Sequence, residues 1–101
     1  MTTDTYRVEG GALIRSVIPR RGKPYEHACT EAVFKDVAYA IEQSGSAHFR
    51  AEDVRAGLDA PFTQANVAVM FLAERGCIER TRGRRFRAAG DYVYEDALIE
   101  Y

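Results

Sequence analysis

Only two of the 101 residues are cysteines, Cys29 and Cys77. They are too few and too far apart for a disulfide framework, so reduced thiols are expected. The same scarcity bears on metals. His27, Cys29, His48 and Cys77 are ligand types that zinc accepts, but their spacing matches no finger or knuckle, and a His-x-Cys pair on a helix does not aim both side chains at one ion. No metal or cofactor is expected, and the cysteines read as small buried hydrophobes. No nucleophile elbow or third orienting residue accompanies a Cys-His pair. Gly10-Gly11 and Gly22 belong to no Gly-x-x-x-x-Gly-Lys-Ser/Thr or Gly-x-Gly-x-x-Gly phosphate loop. The six tyrosines suit packing and interfaces better than catalysis. An enzyme is therefore not expected. No apolar run approaches the roughly 20 residues that span a bilayer, and Met1-Thr-Thr-Asp-Thr-Tyr6 lacks a charged segment followed by an apolar one. The expected location is the cytoplasm, with no membrane partner. Internal repeats and low-complexity segments are also missing.

What is present is ordinary globular composition, 47% apolar and 29% charged, in a length that suits one core. Net charge is −1, but its distribution is uneven. Residues 1–24 carry five basic and two acidic groups, and 25–49 carry one and four. Residues 50–87 carry eight and five, and 88–101 none and four. Arg75 to Arg87 holds six arginines against Glu79 alone. Only charges within a Debye length, about 8 to 10 Å at physiological salt, matter to a bound phosphate, so a local basic patch on a neutral domain can bind one. The other reading pairs these arginines with the acidic tail, Asp91, Glu95, Asp96 and Glu100.

Along the chain, Thr5–Glu9 and Ala12–Ile18 read as short strands about a Gly10-Gly11 turn, with a helix over 12–18 as the alternative. Pro19 to Pro24 is a connector whose Arg20, Arg21 and Lys23 form a basic arm, suited to a nucleic-acid backbone or to solvent. Tyr25 to Gln43 reads as a helix, with Val33, Val37, Ala40 and Ile41 spaced three and four apart and Phe34 and Ala38 widening the stripe. Ser44-Gly45-Ser46 stops it, and Ala47-His48-Phe49 suits a single short strand. Arg50 or Ala51 opens a second helix with Glu52 and Asp53 in its first turn and Val54 and Leu58 facing inward. Pro61 to Arg75 is a third helix, capped by Thr63 or Asp59 and ended by Gly76 in a left-handed position. Cys77 to Ala88 is an arginine-rich hairpin. A three-residue loop, Arg82-Gly83-Arg84, places Ile78 and Phe86 on one face and Glu79 opposite Arg87 on the other.

Helix, glycine and basic hairpin, preceded by the short helix Ala51–Leu58 and the turn Asp59–Phe62, resemble the winged helix-turn-helix family over about residues 26–88. The resemblance implies an α+β fold with a three-helix core, a small antiparallel sheet and a short wing. N-terminal strands and a connector (1–24) precede the core (25–90), and a short C-terminal helix (91–101) follows it. It implies duplex DNA as ligand and a small dimeric transcription regulator as function. Thr63, Gln64 and Asn66 would then approach bases or backbone from the third helix. Arg80, Arg82, Arg84, Arg85 and Arg87 would hold phosphate or the minor groove from the wing, with Arg20, Arg21 and Lys23 assisting.

One feature of the third helix opposes this. Aligned with the family, Val67, Met70 and Phe71 fall on its outer side, and a helix apolar nearly all round is normally buried on both sides. The N-terminal hairpin or the C-terminal helix covers the patch, or a partner protein does. Asp91 reads as the N-cap of the C-terminal helix, with Tyr94, Ala97, Leu98 and Tyr101 on one stripe. So short a helix must dock on its own domain or on a second copy. The alternative function is thus a winged-helix interaction or dimerisation module, with Val67, Met70, Phe71, Tyr94, Leu98 and Tyr101 as its interface.

Overall fold

The structure, a computed structural model, describes residues 3–45, 47–58 and 60–101. Strands β1 (Thr3–Glu9) and β2 (Ala12–Ile18) pair antiparallel, with Glu9 opposite Ala12. The two residues between them, Gly10 and Gly11, have φ of 60° and 80°. Positive φ at both central residues matches the twist of the flanking strands, and glycine reaches it without steric cost.

The connector 19–24 leads into a strand that the sequence reading placed inside a helix. β3 (Tyr25–Cys29) pairs antiparallel with β2, giving the order β1-β2-β3. Helix α1 begins only at Glu31 and runs to Gln43. Thr30 marks the boundary, because its extended backbone and its hydroxyl, accepting from the Val33 N–H at 3.2 Å, form an N-cap. The apolar stripe that identified the helix starts after this cap: Phe34, Val37, Ala38 and Ile41 are buried. Tyr25 to Cys29 instead satisfies its backbone on the edge of β2.

Helix α1 ends at Ser44 and Gly45, the latter at φ 63°; Ser46 of the expected stop lies outside the described residues. The expected strand at 47–49 is reduced to one bridge. Phe49 and Phe86 exchange backbone hydrogen bonds of 2.8 and 2.7 Å. Helix α2 (Ala51–Ala56) starts with the Arg50 N–H donating to the Asp53 carboxylate at 2.9 Å.

Helix α3 (Phe62–Glu74) follows Pro61, which occupies the N-cap position. Thr63 is exposed within the first turn rather than capping it, and Asp59, the other expected cap, lies outside the described residues. At the far end, Gly76 takes φ 80° while Cys77 N–H donates to Leu72 C=O at 2.9 Å and Gly76 N–H to Ala73 C=O at 3.2 Å. This double bond about a left-handed residue is a Schellman motif, and it turns the chain into the hairpin.

Strands β4 (Ile78–Arg80) and β5 (Phe86–Ala88) pair as Ile78 with Ala88, Glu79 with Arg87 and Arg80 with Phe86. Thr81 N–H donates to Arg85 C=O at 2.8 Å, leaving Arg82-Gly83-Arg84 as the loop, in the expected register. Helix α4 (Val93–Glu100) has Tyr92, not Asp91, at its N-cap. The cap comes from another helix: the Glu42 carboxylate of α1 accepts from the Tyr94 N–H at 3.3 Å, which removes the need for a local side chain.

The core is built around α3. Ala65, Val67, Ala68, Val69 and Leu72 have no exposed surface and Phe71 has 2%. Val67 and Phe71, expected on the outer side, are therefore interior residues. Tyr6 of β1 meets the Phe71 ring edge-on at 5.3 Å and Phe34 of α1 does so at 5.6 Å, so Phe71 is enclosed from two sides. The N-terminal sheet thus occupies the face of α3 that α1 and α2 leave open. Helix α4 packs on α1: Ala97 is buried, Tyr94 and Tyr101 half-buried, and the Tyr101 ring lies 4.7 Å from Phe34. Leu98, expected on that docked stripe, is 40% exposed. No helix of the described residues is long and apolar enough to cross a membrane.

Candidate nucleic-acid interface

The arginines of Cys77–Ala88 occupy three different environments. Arg80 lies along the inner face of the hairpin, its guanidinium carbon 5.3 Å from the Phe86 ring centroid and one nitrogen 3.6 Å from Met70 Sδ. Cation–π contact and the soft sulfur hold the side chain flat while its charge stays exposed. Arg87 sits on the opposite face and is paired with Glu79. Arg82, Arg84 and Arg85 crown the loop, exposed and with no ion pair among the described residues.

The acidic tail does not neutralise them. Among the described residues none of its carboxylates pairs with them; its one link to an arginine is Glu100 with Arg75, outside the hairpin, at 4.0 Å, and Arg75 bonds more closely to Glu74, at 2.7 Å. Docking α4 on α1 commits the tail away from the hairpin loop. Arg80, Arg82, Arg84 and Arg85 thereby retain their charge for an external anion.

Arg84 has φ 64°. Glycine or asparagine is the usual occupant of such a left-handed position, and an arginine there carries strain of about 1 kcal/mol. The loop tolerates it with Gly83, at φ 72°, immediately before. The loop base is tied down as well: His48 Nδ1 lies 3.1 Å from Thr81 Oγ1.

Beside the hairpin, α3 retains only a narrow accessible stripe. Phe62 is 42% exposed, Asn66 and Met70 are half-buried, and the three stand four residues apart on one face. This stripe, the Arg80 and Arg84 side of the hairpin, and Glu52 at the start of α2 line one groove, with Phe86 at its floor. Of the α3 residues expected to face DNA, Asn66 lines this groove, whereas Thr63 is exposed in the first turn and is not part of the lining. Gln64 is already engaged, its Oε1 accepting from the Thr30 N–H at 3.1 Å and joining α3 to the β3–α1 junction. Arg20, Arg21 and Lys23 are exposed on the β2–β3 connector and do not line the groove. Phe62 and Glu52 were not among the residues the sequence singled out. The signal for Phe62 was its spacing of four from Asn66 and eight from Met70, masked by its place next to Pro61, where it read as turn.

A larger concavity lies on the other side of Arg80, between β1, the end of α3 and β4. Its carboxylates are occupied, Asp4 by Arg15 at 2.7 Å, Glu74 by Arg75 and Glu79 by Arg87. Among the described residues Arg80, which this concavity shares with the groove, is its charged lining residue without an ion pair. The thiols are also withdrawn from chemistry: both are buried, and burial pushes Cys29 up to about 12 and raises Cys77. No protein-family model, curated protein or solved structure matches this chain.

Proposed function

We propose that the chain is a winged-helix DNA-binding protein, a small transcription regulator that grips the duplex backbone through the β4–β5 hairpin. The observation that carries this reading is the exposed arginine group Arg80, Arg82, Arg84 and Arg85, without ion pairs among the described residues, beside the accessible Phe62–Asn66–Met70 stripe of α3. Support for the winged-helix assignment comes from the order α1, single bridge, α2, α3, hairpin, with the Phe49–Phe86 bridge adding a third member to the β4–β5 ladder. In this reading the hairpin supplies phosphate contacts, which position without specifying sequence. The start of α3, with Thr63 and Asn66, lies alongside the backbone, and the basic arm Arg20, Arg21 and Lys23 is a secondary contact.

Helix α3 itself stays out of the major groove, because the N-terminal sheet covers Val67 and Phe71. Weak sequence discrimination and strong salt dependence follow. Fluorescence anisotropy with a random-sequence duplex of about 30 base pairs, titrated at several salt concentrations, tests the reading. Four phosphate contacts predict a slope of about −3 to −4 in log K against log salt. Absence of binding at low salt rules out the hairpin as a DNA grip.

The second reading, a dimerisation module, now rests on a different surface. Val67 and Phe71 are consumed by the fold, but the adjacent Leu98 and Ile99 of α4 are 40% and 81% exposed. A dimer formed there is dissociated by Ile99→Glu, as read by sedimentation equilibrium. An unchanged monomeric mass in wild type and variant alike removes that reading.

A further inference from the structure

We infer that the groove between the start of α3 and the hairpin holds an unpaired nucleic-acid base, stacked on Phe62 with Arg80 and Arg84 toward its flanking phosphates. This deepens the nucleic-acid reading above and rests on it. A continuous duplex meets the hairpin loop and the first turn of α3, whereas Asn66 and Met70 are half-buried inside the groove, which a base enters only by leaving its stack. The groove has the composition that a single base requires. Phe62 offers a half-exposed ring, and Phe86 and Met70 give an apolar floor. Two arginines without carboxylate partners among the described residues stand on one wall. Stacking on an aromatic face beside cationic side chains is how single strands are held, because every base has a π-face and every linkage a charge.

The polar rim adds discrimination. Asn66, one turn beyond Phe62, offers both a donor and an acceptor to a base edge. Glu52, at the start of α2, only accepts when ionised, so it favours a base that presents an amino or ring N–H group and opposes a second phosphate on its side. The backbone of Arg84, one of the two wall arginines, is left-handed. Strain retained at a loop residue is a pointer to function, and here the strained residue lines the groove. The ligand class is therefore single-stranded nucleic acid.

The sequence contains no tryptophan, so Phe62→Trp installs a single indole reporter. Titrating this variant with a single strand of about 12 nucleotides should quench its emission, and a blunt duplex of the same sequence should leave the emission nearly unchanged. Phe62→Ala should weaken single-strand binding about ten-fold or more while duplex affinity stays within about two-fold. Phe62→Trp should retain single-strand affinity, and Arg82→Ala should weaken both ligands. Thermal melts guard against misfolding, since the partly exposed Phe62 tolerates replacement. Binding of both strands with no quench, or an equal loss on both in Phe62→Ala, overturns the base pocket and leaves the duplex reading intact. No binding of either ligand at low salt overturns both.

Discussion

At the scale of single residues, stability and the proposed phosphate contact make opposite demands on Arg84. Its φ of 64° is one that glycine adopts without strain. Arg84→Gly should therefore raise stability by about 0.5–1 kcal/mol in denaturant unfolding. The same change should weaken duplex binding and reduce the salt slope by about one. Arg82→Ala should reproduce the loss of slope with no gain in stability, since Arg82 is not in the left-handed region. Cys29 makes a prediction about pH. Burial raises its thiol from an ordinary 9.0 to about 12, so the folded chain holds a proton that the unfolded chain releases first. The associated stability is whole below about pH 9 and is lost as pH rises toward 12, at no more than about 1.4 kcal/mol per pH unit. Tyr6 and Tyr101, also raised by burial, act in the same direction at higher pH. Chemical denaturation from pH 8 to 11 should show a shallower decline for Cys29→Ala than for the parent. An identical decline would mean that the thiol titrates normally in the folded chain.

At the scale of elements, the turn from α3 into β4 sets where the arginines point. Gly76 at φ 80° closes the Schellman motif, and a Cβ there meets no atom within 4 Å, so the penalty for Gly76→Ala is conformational, not steric crowding from neighbours. We expect a loss of about 1–2 kcal/mol with an unchanged circular dichroism spectrum. Helix α4 is held by the Tyr101 ring on Phe34, by the Tyr101 hydroxyl donating to Gly11 C=O, and by Glu42 at its N-terminus. Tyr101→Phe should cost about 0.5–1.5 kcal/mol in thermal or urea unfolding, whereas Tyr101→Ala should cost more because the ring contact with Phe34 is lost too. Glu42 illustrates why the sequence misplaced this helix start at Asp91. Local pattern shows a residue fit to cap, but a carboxylate 52 positions away supplied the bond instead.

At the scale of the whole molecule, the N-terminal sheet is part of the core and not an appendage. The radius of gyration is 12.9 Å, as expected of one compact unit of about 100 residues. Removing residues 1–24 would strip β1 and β2, leave β3 unpaired and uncover Val67 and Phe71. The shortened chain should lose its cooperative thermal transition. Phe71→Ala in the full chain should lose about 3–5 kcal/mol through the cavity it leaves. A cooperative melt of the 25–101 fragment near that of the full chain would show that the helices and hairpin stand alone. The α+β class, the N-terminal hairpin with its Gly10-Gly11 turn, the four helices and the β4–β5 register were legible because they depend on local periodicity, capping and turn geometry. The split of Tyr25–Gln43 into strand and helix was not, because β3 forms only where β2 offers it a partner. Nor was the groove, which takes Phe62 and Asn66 from α3, Arg80 and Arg84 from the hairpin and Glu52 from α2. Local sequence was enough for the two hairpins, for α3 with its glycine stop and for the apolar stripe of α1, since neighbours within a few residues decide those. Which face of α3 is interior, and which arginines lack an ion pair among the described residues, followed from the packing, because burial and ion pairing depend on segments that meet through space.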